Sequence, residues 1–147
     1  MFPSITSFPV ARTPIARVLT NGETCFTVYG DIQIISLVSE CISTGTPAAT
    51  TVQWQANPTV GAAATFTGAS GSLVTAVAGS SLSVISGQAV APSLIVSGAN
   101  NTAANPLAVW CQSGTIKSVV GTGPSTGTWA HYLAYIPLEP GAYVIAN

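Results

Sequence analysis

Apolar and polar residues alternate along short segments of this chain, and glycine, proline and asparagine separate the segments. In residues 51–55, Val52 and Trp54 fall on one face of a strand and the two glutamines on the other. In residues 129–135 both faces are apolar, which is typical of a strand covered on both sides. β-branched residues are common, whereas the residues that favour helices are scarce. The pattern predicts an all-β protein.

The fold that we expect is a single antiparallel β-sandwich, jelly-roll-like, with short strands between turn residues. Asn21 and Gly22 predict a hairpin-type turn between the first two strands. The predicted strands cover residues 15–19, 24–29, 32–43, 51–56, 63–67, 73–77, 82–85, 94–96, 107–112, 115–119, 128–136 and 143–146. No linker or internal repeat indicates a second domain, so the sandwich takes in residues 14–147.

Residues 1–13 are predicted to form an extended N-terminal arm, because Pro3 and Pro9 withhold ladder donors and Pro14 follows it. We expect the arm to contribute to attachment, with Val10 as a further apolar anchor, and its removal to spare the sandwich. The predicted partner-binding residues are Phe2, Ile5, Phe8, Arg12 and Arg17. The alternative for the two arginines is that they are charged surface residues in contact with water only.

Charge is almost absent from the chain. It has 3 Lys+Arg and 4 Asp+Glu, so 5% of its residues are charged, where a soluble domain carries about 25%. Residues 41–116 contain no charged residue at all. Because charge keeps proteins soluble as monomers, this composition predicts that copies of the chain or a partner cover much of the surface. A net charge of −1 indicates no nucleic-acid partner, and interrupted apolar stretches indicate no membrane partner.

No catalytic, cofactor or metal site is predicted. His131 is the single histidine, on one strand face with Trp129 and Leu133, and we expect it to be a hydrogen-bonded core or interface residue. The carboxylates are scattered, which is more typical of solvated strand ends than of a glycosidase pair. One histidine with four scattered carboxylates also makes a poor zinc site. We therefore expect the protein not to be an enzyme.

Cysteines and tryptophans are predicted to be core residues. Three cysteines without a Cys-X-X-Cys spacing indicate buried reduced thiols, although the sequence leaves a Cys25–Cys41 disulfide open. Core packing is also the preferred role of the tryptophans, with a sugar-stacking platform as the alternative. These tryptophans are Trp54, Trp110 and Trp129.

The C-terminal third carries a resemblance to a known family. Gly-Thr-Ile at residues 114–116 precedes a Gly/Thr/Ser loop and Thr-Trp at residues 128–129, and residues 132–142 read Tyr-Leu-Ala-Tyr-Ile-Pro-Leu-Glu-Pro-Gly-Ala. This run resembles the capsid decoration, or cement, proteins of tailed bacteriophages. The Val-Gln-Trp-Gln-Ala-Asn-Pro-Thr segment at residues 52–59 is similar to theirs as well. The arm and the three cysteines lie outside the resemblance.

The resemblance implies an all-β protein that clamps neighbouring capsid subunits and has no catalytic residues. The expected function is that of a structural virion protein, which binds the outside of a capsid as a homo-oligomer and stabilises the shell. Its partners would be the major capsid protein and copies of itself, in a dimer or trimer, on virions assembled in the host cytoplasm. The alternative is a receptor- or glycan-binding domain of a phage tail fibre or spike.

Overall fold

The computed structural model describes residues 8–84, 92–95, 109–122 and 126–147. This part of the chain contains no helix of the length and apolarity needed to cross a membrane. Its strands, in chain order, are β1 (Val10–Arg12), β2 (Arg17–Val18), β3 (Thr24–Tyr29), β4 (Ile32–Ser43), β5 (Thr51–Pro58), β6 (Ala64–Thr65), β7 (Ser81–Ser83), β8 (Ser93–Ile95), β9 (Val109–Cys111), β10 (Gly114–Gly121), β11 (Thr128–Pro137) and β12 (Tyr143–Ala146).

The strands form two antiparallel sheets, which confirms the predicted β-sandwich. Sheet I has the order β1-β11-β4-β7-β8, with β2 also paired to β11 and β9 also paired to β4. Sheet II has the order β12-β3-β10-β5-β6. The longest pairing joins β4 to β11, from Ile32 opposite Pro137 to Ser43 opposite Thr128. This pairing forms the centre of sheet I and places β1 at its edge.

The strand order is that of a jelly roll. A jelly roll has eight strands, and here β1 and β2 together form the first of them, while β8, β9 and β12 are additions. Sheet I then has the order first (β1 and β2), eighth (β11), third (β4) and sixth (β7). Sheet II has the order second (β3), seventh (β10), fourth (β5) and fifth (β6). This double-sheet arrangement wraps the chain around one core and is shared by viral capsid and lectin domains, so it does not by itself specify a function.

Alternating residues of both sheets fill the space between them. The largest fully buried side chains come from strands of both sheets: Trp54, Trp129, Phe26, Ile32, Ile34, Leu37, Leu82, Ile116, Leu133, Val28 and Val52. Val52 and Trp54 face the core as their alternation predicts. The ring centroids of Trp54 and His131 lie 6.1 Å apart in an edge-to-face contact, which links sheet II to sheet I.

Most predicted strands are present, and three have the predicted bounds: β3, β4 and β12. A turn is present at Asn21 and Gly22, with Gly22 at a φ of 79°, a conformation that favours glycine. The prediction of a hairpin there is wrong, because β2 pairs with β11 in sheet I and β3 pairs with β10 and β12 in sheet II. The prediction of a strand at residues 73–77 is wrong. There the side-chain oxygens of Ser72 and Ser80 accept bonds from backbone N–H groups, so the segment turns instead of pairing.

The predicted arm is described from Phe8 onward, and its last part belongs to the sheet. Val10–Arg12 pairs with β11, from Val10 opposite Ala134 to Arg12 opposite Tyr132. Ala11 and Thr13 are buried. Pro9 lacks an N–H, but its carbonyl accepts a bond from the Tyr135 N–H, so this proline is compatible with an edge strand.

This pairing changes the expected effect of truncation. Deletion of residues 1–13 is expected to lower the free energy of unfolding by about 2 kcal/mol, because hydrogen bonds contribute about 1 kcal/mol each and Thr13 alone makes two to His131. Deletion of residues 1–8 leaves β1 in place and is expected to leave stability unchanged. Urea denaturation of both variants measures the difference, and equal stability of the two would show that β1 does not support the sandwich.

Candidate functional site

The candidate site lies on the outer face of sheet I, where β1 forms the edge. Ala11 points into the core, so its neighbours Val10 and Arg12 point outward. Phe8 and Val10 are 54% and 61% exposed, so two large apolar side chains near this edge are open to contact with a partner. We call this surface the β1 face and define it by Phe8, Val10, Arg12, Tyr132 and Glu40.

A row of side chains crosses three strands of the β1 face. The Arg12 guanidinium carbon lies 5.2 Å from the centroid of the Tyr132 ring, in a cation–π contact. The Tyr132 hydroxyl donates a hydrogen bond of 2.8 Å to the Glu40 carboxylate. Partial burial, and then this bond to Glu40, raise the pKa of Tyr132, so it stays protonated as the donor. The row places the Arg12 guanidinium over the Tyr132 ring.

Arg12 and Arg17 differ in how their charges are compensated. Arg17 lies 3.1 Å from Glu23 in an ion pair. Within the described ranges, Arg12 has no carboxylate at ion-pair distance. The structure therefore places Arg12 on the edge strand β1 and the exposed Phe8 two residues before that strand begins, whereas Arg17 is paired on β2. The other two predicted partner-binding residues, Phe2 and Ile5, lie outside the described residues.

Beneath the β1 face lies a buried polar cluster around His131. Its Nδ1 is 2.6 Å from the Ser39 hydroxyl, and its backbone N–H donates to the Thr13 hydroxyl. Burial lowers the pKa of His131 to about 4, so the ring is neutral at pH 7. The prediction of a hydrogen-bonded core histidine is confirmed. Ser39 on β4 is fully buried, and the cluster joins β4 and β11 to Thr13, the residue that follows β1.

Burial also governs the cysteines. Cys25, Cys41 and Cys111 are free and buried, as predicted, and the Cys25–Cys41 disulfide that the sequence left open does not form. Burial raises the pKa of Cys25 and of Cys111 to about 11, so both are thiols at neutral pH. No group of side chains suited to a metal ion occurs in the described part of the chain.

Two tryptophans are core residues as predicted, but the prediction for Trp110 is wrong. Trp54 and Trp129 are 0% and 2% exposed, whereas Trp110 is 60% exposed. Its partner in the ladder is Gln33, between the inward Ile32 and Ile34, so both side chains point outward. Side chains alternate between the two faces along β9, and Cys111 takes the buried position, so the adjacent Trp110 points outward.

Trp110 lines a groove of about 160 Å³ at the side of the sandwich opposite β1. Methyl groups and a proline ring form most of the groove, and a glutamine amide completes it. The other lining residues are Ala56, Pro58, Ala62, Ala64, Cys111 and Gln112.

The loop between β10 and β11 contains a motif that sequence reasoning missed. Residues 123–127 read Gly-Pro-Ser-Thr-Gly, the Gly-X-Ser-X-Gly spacing of a hydrolase nucleophile turn. That turn joins a strand to a helix, whereas this loop joins two strands. Ser125 lies outside the described residues. The motif therefore lacks the strand–helix context in which it indicates a nucleophile.

Comparisons of the chain with protein-family models, with curated proteins and with solved structures found no match. Its function is therefore inferred from the jelly-roll fold, from the β1 face and from the distribution of charge.

Proposed function

We propose that this chain is a structural virion protein that binds the outside of a bacteriophage capsid as a homo-oligomer and stabilises the shell. The observation that carries the proposal is the β1 face, which combines exposed apolar side chains with a positioned and unpaired arginine. Apolar contact would provide affinity, and Arg12 would pair with a carboxylate of the major capsid protein. A protein bound across two capsid subunits raises the free energy needed to separate them.

Self-association has a separate basis in the uncharged stretch of residues 41–116. In the described part of this stretch, five large apolar side chains are exposed: Ile42, Val60, Val74, Val77 and Trp110. Val60, at 83%, is nearly as exposed as in an unfolded chain. Because residues 41–116 carry no charge, copies of the chain can meet there without like-charge repulsion. Analytical ultracentrifugation at micromolar concentration tests this part of the proposal, and a monomer over a wide concentration range would contradict it.

Binding to the capsid is tested on particles of a phage mutant that lacks the gene for this protein. Added purified protein is expected to label the particle exterior in immunogold electron microscopy and to raise the temperature at which DNA is released. Arg12→Glu is expected to reduce occupancy at least tenfold. Lys117→Glu makes the same change of charge on β10 and is the matched control, expected to retain full occupancy. Absence of labelling, or equal occupancy by both variants, would contradict the proposal.

A second candidate function is glycan binding, as in a receptor-binding domain of a tail fibre or spike. The specific observation in its favour is the exposed Trp110 ring beside an uncharged groove, since aromatic rings stack on the apolar faces of sugars. A glycan array with the wild type and Trp110→Ala separates the two candidates. Binding that is lost in this variant, together with unlabelled particles, would replace the capsid proposal with the glycan one.

A further inference from the structure

The backbone of β1 is bonded on one side only. The Tyr135 N–H donates to the Pro9 carbonyl, and the Thr13 N–H donates to the His131 carbonyl, at 3.1 and 3.0 Å. Because bonding alternates along an antiparallel strand, Val10 and Arg12 direct their N–H and C=O groups away from β11. β1 is the terminal strand of sheet I, and in the described part of the chain these groups have no partner. We call these backbone groups the β1 edge.

On the neighbouring edge of sheet II, a side chain occupies one backbone donor. The Val144 N–H on β12 points away from β3 and donates to the Tyr135 hydroxyl at 3.2 Å. Proteins protect edge strands with such devices because free backbone groups pair readily with other chains. β12 is therefore occupied at Val144, while β1, beside it, retains free donors and acceptors.

We propose that the β1 edge accepts an additional antiparallel strand from a partner, an extended segment with a carboxylate opposite Arg12. Strand addition of this kind draws affinity from backbone bonds and specificity from alternate side chains. A residue opposite Arg12 lies on the same face of the sheet, where the guanidinium lies over Tyr132 and has no carboxylate at ion-pair distance among the described residues. The residue opposite Val10 would be apolar for the same reason. The identity of the partner as a capsid protein rests on the proposed function, whereas strand addition itself does not.

A second copy of this chain fits the β1 edge less well than an acidic segment. Two β1 strands paired about Ala11 would place both Arg12 side chains on the same face, one on each side of the twofold axis. Each Arg12 would then lie opposite a Val10 of the other copy, so neither guanidinium would gain a carboxylate. The charge on β1 therefore favours a partner of opposite charge over self-pairing.

The position of the C-terminus allows the proposal to be tested without a capsid. Asn147 and Thr13 line the same small cavity, so the chain ends near the end of β1. A Gly/Ser linker after Asn147 can therefore deliver a test strand that enters beside Arg12 and runs antiparallel to β1. In the first fusion the strand reads Thr-Glu-Thr-Val-Thr, with Glu opposite Arg12. In the matched control, Lys replaces this Glu.

The readout is the amide hydrogen exchange of Val10 and Arg12, measured by NMR in the full chain. The Glu strand is expected to slow both amides at least tenfold, and the Lys strand less than threefold. Val10→Pro removes one free donor without touching the bonds to β11, and it is expected to restore fast exchange at Arg12 in the Glu fusion. Circular dichroism checks that all variants keep the wild-type spectrum.

Unchanged exchange in the Glu fusion would overturn strand addition, and equal slowing by the Glu and Lys strands would overturn the assignment of an acidic partner. Slowed exchange in the Glu fusion together with unlabelled phage particles would leave the strand-accepting edge in place and contradict the capsid proposal alone.

Discussion

Replacing Trp54 with alanine is expected to lower the free energy of unfolding by about 3–5 kcal/mol, as for other large-to-small changes in a core. The Trp54 side chain is completely buried and contacts His131 across the two sheets. Its removal would leave a cavity between the sheets that neighbouring side chains fill only in part. Trp129→Ala is expected to cost a similar amount, since Trp129 is 2% exposed. Urea denaturation monitored by circular dichroism gives both values.

Two matched variants make this prediction specific. Trp110→Ala removes the same side chain from the surface and is expected to change stability by less than about 0.5 kcal/mol. Trp54→Phe keeps most of the packing and removes the indole N–H, which is buried and has no hydrogen-bond partner among the described residues. It is therefore expected to be less destabilising than Trp54→Ala. Wild-type stability of Trp54→Ala would show that the two sheets do not pack through this ring.

Lowering the pH from 7 to 4 is expected to reduce the free energy of unfolding by about 3 kcal/mol through His131 alone. Burial lowers the pKa of His131 from 6.5 to about 4 in the folded protein. Between these values the unfolded chain binds a proton that the folded protein excludes. The stabilisation is therefore complete above pH 6.5 and is lost as the pH falls towards 4. Chemical denaturation at a series of pH values measures the loss.

The control for the pH prediction is His131→Asn, which removes the titrating ring and retains a polar group beside Ser39. All other residues are common to the wild type and the variant. The difference between the wild type and the variant therefore isolates the histidine. A wild type and a variant that lose stability in parallel from pH 7 to pH 4 would exclude His131 as the cause.

Alternation within one strand is local information, and it predicted β3, β4 and β12 with their observed bounds. The absence of a strand at residues 73–77 depends on serine hydroxyls that bond to nearby N–H groups, and apolar content gives no signal of this. β1 was assigned to an arm because Pro9 weakens the local pattern. Its pairing depends on β11, more than 100 residues further along the chain. Long-range partners of this kind are not encoded in local periodicity.

The same limit applies to the candidate site. The sequence pointed to Phe8 and Arg12 from their position in a proline-rich segment. It gave no sign that Tyr132 and Glu40 would join Arg12, because this row depends on the registers of β1 with β11 and of β11 with β4. Trp110 is different, since a strict alternation with Cys111 in β9 predicts its outward position. A core position was predicted for Trp110 because the residues around it are apolar.

The bond from the Val144 N–H to the Tyr135 hydroxyl sets a directionality for assembly. On this side of the sandwich one sheet can be extended by a neighbour, while at the adjacent strand of the other sheet a side chain occupies the Val144 N–H that a neighbour would need. Under the proposal above, an added strand therefore meets fewer occupied groups on sheet I than on sheet II, which favours attachment through sheet I.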